Sequence, residues 1–170
     1  GGEGAFAMTF VADDFIYFQI RNQHRNEEVR EVLGDKFGGV MKTDRGASYE
    51  SHSFDGVLID KCLCHLMRSV VEVSKTQKPA ERGFTDSLMT IFTDALRLFH
   101  RHEEKEVDDE TYFVAGRKIQ EWLTALLERD DLKHPGDLKL LDGLGRQNDN
   151  YRLLRFLDIP GVEPTNNRAE

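Results

Sequence analysis

Residues 38–46 read GGVMKTDRG, a short apolar run that ends at an acidic residue. Gly39 to Thr43 has the composition of a strand, and the chain must turn at Arg45-Gly46, directly after Asp44. Side chains at the carboxyl end of a strand in an open α/β sheet project into a crevice, where catalytic metal ligands are expected. Asp44 is therefore the first candidate site residue, and the alternative is an aspartate that only forms the turn.

On the N-terminal side, the sequence predicts a hairpin followed by a short helix. Residues 6–11 and 15–20 are rich in β-branched and aromatic residues and are separated by Ala12-Asp13-Asp14, which is typical of an antiparallel hairpin. Asn26 is a candidate N-cap, and Gly34 is a stop signal for the helix between them. The order β-β-α-β is thus predicted through residue 43.

On the C-terminal side, the pattern becomes largely helical. Residues 57–59 are a weaker strand candidate that leads into an amphipathic helix from about Cys62 to Ser74. Apolar residues then recur at intervals of three and four in residues 88–99 and 113–127, which predicts two long helices flanking a charged loop at 103–109. A third helix is predicted at about 148–157. The aromatic residues on these apolar faces are predicted to be core: Phe92, Phe99 and Trp122.

Composition limits the function classes. The chain has 170 residues, 39% hydrophobic and 32% charged, which indicates a folded domain rather than a disordered tail. A net charge of −8 argues against a stand-alone nucleic-acid binder, because Lys and Arg supply most of the affinity for phosphate. The negative charge does not exclude an enzyme that acts on DNA, because metal-binding carboxylates add negative charge. No apolar run approaches the roughly 20 residues that span a bilayer, so no membrane segment is expected.

The two cysteines lie close together, at Cys62 and Cys64, and His65 follows them. Cysteines at this spacing do not make an ordinary disulfide framework, which indicates free thiols in a reducing, cytosolic setting. A closed zinc site needs four ligands and the chain has no further cysteine, so structural zinc is disfavoured. Nor does the sequence show the third group that a Cys-His nucleophile needs. We expect Cys62 and His65 to pack at a strand-helix junction.

Three blocks of the sequence share a resemblance. Residues 38–49 (GGVMKTDRGASY), 61–68 (KCLCHLMR) and 160–170 (PGVEPTNNRAE) resemble, in order and spacing, the insertion-sequence sixty-six family of bacterial DDE transposases. The last block is the most specific. The resemblance implies that Asp44 is the second metal-binding acid and Glu170 the third. It also implies that Cys62 and His65 are the family's Cys-x-x-His pair, which supports the active site.

The resemblance also implies a fold, namely an α/β, ribonuclease-H-like mixed sheet with an α-helical insertion. Residues 1–78 would be the first part of the core, 79–158 the insertion, and 159–170 the start of the final helix. The family's first aspartate lies on a strand before the hairpin, whereas only residues 1–5 precede Phe6 here. We therefore expect the first strand to be missing, and the first acid to lie outside this chain or the chain to be inactive. Asp13 and Asp14 are interpreted as turn residues.

The activity implied by the resemblance is metal-dependent cleavage of DNA at transposon ends, followed by strand transfer into target DNA. Mg²⁺ or Mn²⁺ is the implied cofactor, because in-line phosphodiester displacement uses paired divalent ions. DNA is the implied partner, a homo-oligomer on DNA the implied assembly, and the bacterial cytoplasm the implied location. Candidate DNA contacts are Arg45, Asn166, Asn167 and Arg168. The alternatives are an inert DNA-binding or protein-interaction module and, from residues 80–157 alone, a helical assembly module.

Overall fold

A computed structural model describes residues 6–12, 16–22, 25–34, 37–44, 49, 54 and 56–166. Its strands are β1 (Phe6–Val11), β2 (Ile16–Arg21), β3 (Val40–Thr43) and β4 (Leu58–Lys61). Its helices are α1 (Asn26–Leu33), α2 (Leu63–Ser74), α3 (Gly83–Glu103), α4 (Asp109–Leu127) and α5 (Pro135–Asp149), with short 3-10 helices at Pro79–Glu81 and Arg155–Leu157.

The predicted hairpin is confirmed. β1 and β2 pair antiparallel, with Met8 opposite Gln19 and Thr9 opposite Phe18. Met8 and Gln19 point to the buried face, whereas Phe18 on the opposite face is 70% exposed. This follows from the period of two along a strand, which sends successive side chains to opposite faces. The hairpin therefore covers a core on one side only within the described residues.

The second strand pair is parallel. β3 and β4 run side by side, with Met41 opposite Ile59. Helix α1 packs Val29 onto Met8, Met41, Phe54 and Ile59, so both strand pairs share one small core. Within the described residues the pairs form two separate two-stranded sheets. Their union in one ribonuclease-H-like mixed sheet therefore stays a prediction.

A larger core lies among the helices. Helices α3 and α4 pack against each other across the loop at 104–108, which confirms the predicted pair. Helix α2 packs on α3, and the turn at Arg155–Leu157 closes the cluster. The fully buried side chains include Val70, Leu88, Phe92, Leu123, Leu144, Phe156 and Leu157. No described helix combines the length and apolar character that a membrane span requires.

Three local predictions are wrong. The helix predicted at 148–157 is displaced toward the N-terminus, since α5 spans Pro135–Asp149. Positive φ angles at Tyr151 and Leu154 prevent an α-helix from continuing through the residues that follow. Helix α1 begins one residue earlier than predicted, with Arg25 as its N-cap. Trp122 is 57% exposed rather than core, because it borders an open groove and is not among the buried residues of α4, which include Ile119 and Leu123. Phe92 is fully buried, as predicted, and Phe99 is half-buried.

Candidate functional site

The carboxyl ends of β3 and β4 bring together three distant parts of the chain. The Cys62 amide, just after β4, donates to the Thr43 carbonyl at the end of β3 over 2.7 Å. The next amide, that of Leu63, donates to the Pro164 carbonyl over 2.9 Å. Asp44, the start of α2 and the segment 164–166 are therefore neighbours in space. These are the three blocks that the sequence singled out.

Asp44 follows β3 directly and is half-buried. Its carbonyl accepts hydrogen bonds from the Thr43 hydroxyl (3.0 Å) and from the Lys61 ammonium (3.2 Å). Burial, and then the carboxylate of Asp44, raise the pKa of the Tyr49 phenol, so the phenol lies within electrostatic reach of that carboxylate. The backbone carbonyl of Asp44 is thus fixed by one donor from β3 and one donor from β4.

Lys61 was missed by the sequence analysis. It is the last residue of β4 and is only 2% exposed. Besides its bond to Asp44, its ammonium lies 5.8 Å from the centroid of the Tyr49 ring. A buried ammonium requires hydrogen bonds or a counter-charge to offset its desolvation. The Lys61 side chain therefore connects the end of β4 to the main chain of the candidate acid.

Cys62 and His65 lie at the strand-helix junction. Cys62 is completely buried and serves as the N-cap residue of α2, while His65 is half-buried in the first turn. Cys64, between them in the sequence, is partly exposed. Within the described ranges, no three or more His, Cys, Asp or Glu residues form a group that could hold a metal ion. The active-site support role of Cys62 and His65 stays a prediction.

Asn166 is the last described residue. Its Oδ1 atom is buried and accepts no hydrogen bond from the described residues. Such an oxygen is an acceptor left for a ligand or for water, because buried polar groups are rarely left unsatisfied. The other predicted site residues lie outside the described ranges: Arg45, Asn167, Arg168 and Glu170. Their roles as ligands and DNA contacts stay predictions.

A buried ion pair lies beside this site, and the sequence analysis did not find it. Asp60 is fully buried on β4, and its carboxylate pairs with the Lys42 ammonium of β3. Burial raises the pKa of the Asp60 carboxyl, against the opposing effects of Lys42 and Arg155. The pair forms because the parallel register sets Lys42 directly opposite Asp60. A single sequence does not reveal the register of two strands, so it gave no signal for this pair.

The residues at this point fit a hard divalent cation in the kind of donor they offer. Mg²⁺ and Mn²⁺ prefer oxygen ligands, and both the Asp44 carboxylate and the Asn166 Oδ1 atom are oxygen donors. One described carboxylate is fewer than a two-ion site requires, so Glu170 would have to supply the second. The position of block 164–166 beside Cys62 and Leu63 is compatible with that requirement.

Comparison with known proteins gives one family. A family model described as "Transposase IS66 family" matches residues 3–170, which is nearly the whole chain. Searches of curated proteins and of solved structures gave no significant match. The family match therefore rests on sequence, and the fold and site geometry rest on the structure described above.

Proposed function

Because this chain belongs to the IS66 family of transposases, we propose that it carries part of a DDE catalytic site for metal-dependent DNA cleavage and strand transfer. One observation supports the proposal most strongly. The Cys62 and Leu63 amides bond to Thr43 and Pro164, so the three family blocks converge at one edge of the strands. Blocks separated by about 100 residues have no local reason to meet.

Two carboxylates form the centre of the proposed site. Asp44 and Glu170 would hold the cations, and bound Mg²⁺ or Mn²⁺ would supply positive charge at the attacking and leaving oxygens of the phosphodiester. Lys61 and Thr43 hold the backbone at Asp44, which limits the directions its carboxylate takes. Cys62 and His65 support the junction from the start of α2.

DNA contacts are proposed on both sides of the acids. Arg45 follows Asp44, and Asn166, Asn167 and Arg168 precede Glu170. Guanidinium and amide groups donate to phosphate oxygens, which fixes the register of DNA without reading its sequence. The proposed partners are transposon-end and target DNA, bound by a homo-oligomer in the bacterial cytoplasm.

The proposed fold is ribonuclease-H-like, with residues 79–158 as a helical insertion and residues 159–170 returning to the core. The shared packing of Met8, Met41 and Ile59 under α1 supports one layer that contains both strand pairs. The helices from α3 to α5 occupy the interval between Asp44 and Glu170. An insertion at that point separates the two acids in sequence and leaves them free to meet in space.

A cleavage assay tests the proposed activity. Labelled DNA that carries the ends of the encoding element is incubated with the protein and Mn²⁺, alongside Asp44→Asn and Asp142→Asn. Asp142 is a matched control, because it lies on α5 with its side chain 68% exposed. Because the family's first acid is not among its residues, we expect the 170-residue chain to show no measurable cleavage with Mn²⁺. A longer form of the protein that also carries this acid should cleave the DNA, and Asp44→Asn should lower that cleavage about a hundredfold or more while Asp142→Asn leaves it intact. DNA binding by the longer form without Mn²⁺-dependent cleavage would instead support the inert-module alternative.

A further inference from the structure

The edge of β4 that faces away from β3 forms hydrogen bonds with the segment that follows α5. The Lys61 amide donates to the Arg152 carbonyl over 2.9 Å, and the Arg155 Nε donates to the Ile59 carbonyl over 2.9 Å. β4 therefore has β3 on one side and residues 152–155 on the other. The segment behaves as an extra edge partner, although it is not a strand.

The buried carboxylate of Asp60 on β4 contacts both β3 and the segment 152–155. Asp60 Oδ1 accepts a hydrogen bond from the Arg155 amide over 3.2 Å, and Asp60 Oδ2 pairs with the Lys42 ammonium. That ammonium also lies 5.5 Å from the centroid of the buried Phe156 ring. Charge-assisted hydrogen bonds of this kind are stronger and more directional than neutral ones. β3, β4 and the turn at Arg155–Leu157 thus meet at Asp60.

This junction lies a short distance upstream of the candidate site. Pro164 follows Arg155 by nine residues, and its carbonyl accepts from the Leu63 amide. The point at which Arg155 is held on β4 therefore limits where residues 164–166 reach. A slipped or released turn would carry Asn166 away from the carboxyl end of β3.

We propose that Asp60 is a positioning residue that docks the end of the helical segment on the edge of β4 and so places residues 164–166 beside Asp44. Lys42 pairs with one oxygen of this carboxylate, and the Arg155 amide donates to the other. The docking rests on these contacts alone, and only its relevance to DNA cleavage rests on the proposed function.

Amide hydrogen exchange measured by NMR on the 170-residue chain tests the docking. Three amides serve as probes: Lys61, which donates to Arg152; Leu63, which donates to Pro164; and Phe92, a reference in the core of α3. We expect Asp60→Ala to speed exchange at Lys61 and Leu63 by about tenfold or more and to leave Phe92 unchanged, as local opening does. Asp60→Asn keeps an acceptor for the Arg155 amide and should restore most of the protection.

Arg155→Ala provides a second variant if Asp60→Ala does not fold. It removes the guanidinium bond to Ile59 and leaves the Asp60–Lys42 pair in place, so it should also speed the Lys61 and Leu63 amides selectively. Asp142→Asn, which changes charge on the exposed face of α5, is the control and should change none of the three. Unchanged Leu63 exchange in these variants, or equal acceleration at all three probes, would overturn the proposal. Failure of DNA cleavage alone would leave it standing.

Discussion

Trp122 lies on the solvent-facing side of α4 and borders an open groove with Ile91 and Leu126. More than half of the side chain is in water, so its truncation forfeits little buried surface. We expect Trp122→Ala to lower the free energy of unfolding by about 1 kcal/mol, whereas Phe92→Ala, at a fully buried position, should cost about 3–5 kcal/mol.

Urea unfolding at two protein concentrations measures both effects. A loss of several kcal/mol for Trp122→Ala that appears only at the higher concentration would contradict this assignment. It would place Trp122 in a contact between two copies of the chain, and would revive the helical assembly module considered from the sequence.

Tyr112 carries a pH-dependent contribution to stability. Its hydroxyl donates a hydrogen bond to the Phe156 carbonyl over 2.7 Å, and its ring stacks on the His102 ring with 4.1 Å between the ring centroids. Burial raises the pKa of its phenol above the ordinary value. The folded state thus favours the protonated phenol, and this stabilisation is complete below about pH 10, the ordinary pKa of tyrosine, and lost as pH rises through the raised pKa.

Tyr112→Phe removes both the hydrogen bond and the titration. We expect it to cost about 1 kcal/mol of unfolding free energy at neutral pH. The difference between wild type and variant should shrink as pH rises above about 10. Guanidinium unfolding over a pH series provides the measurement, and a difference that stays constant or grows above that pH would contradict the account.

Single residues also mark the limit of inference from one sequence. Asp44 could be singled out as a candidate, because a turn after a strand and its place in a motif both indicate it. Lys42, Asp60 and Lys61 could not, because charged residues are ordinarily expected at the surface. Their burial depends on the parallel register of β3 and β4 and on a segment almost 100 residues further along the chain.

At the scale of elements, two glycines in helices have opposite surroundings. A Cβ on Gly145 in α5 would meet no atom within 4 Å, whereas one on Gly116 in α4 would lie 3.2 Å from the Leu157 Cβ and 3.4 Å from the Leu157 carbonyl oxygen. Alanine is favoured over glycine within helices by about 1 kcal/mol, chiefly because glycine loses more backbone entropy on folding.

We therefore expect Gly145→Ala to raise the free energy of unfolding by about 0.5–1 kcal/mol. Gly116→Ala should show no such gain, because the turn at Arg155–Leu157 blocks the added methyl group. Thermal and urea unfolding of the two variants give the comparison. An equal gain from both would show that Leu157 does not pack against α4 as described.

The elements that could be predicted are those with a strong local period. The hairpin has an aromatic, β-branched composition, and α3 and α4 have apolar residues at intervals of three and four. Helix α5 was missed because Pro135, Gly136, Gly143 and Gly145 are ordinarily turn signals. In fact Pro135 opens the helix, where its missing N–H costs nothing, and the His134 ring accepts from the Gly136 amide.

At the scale of the whole molecule, the resemblance predicted that the three family blocks lie close together. It did not predict which hydrogen bonds connect them. The backbone bonds from Cys62 to Thr43 and from Leu63 to Pro164 depend on how the helical segment returns to β4. That return runs through Arg152 and Arg155, which carry no motif. Order and spacing of the motifs therefore predicted that the blocks come together, while long-range pairing determined how their described residues meet.

The proposed function requires that Asp44 and Glu170 share one divalent-cation site. A crystal structure of the chain grown with Mn²⁺, in which anomalous scattering locates the ion, tests this requirement. We expect an ion at an ordinary bond length, about 2.0–2.6 Å, from an oxygen of each carboxylate, and loss of that ion in Asp44→Asn. Ordered carboxylates more than about 10 Å apart, beyond the reach of a shared metal site built from such bonds, would show that the two acids do not share a site.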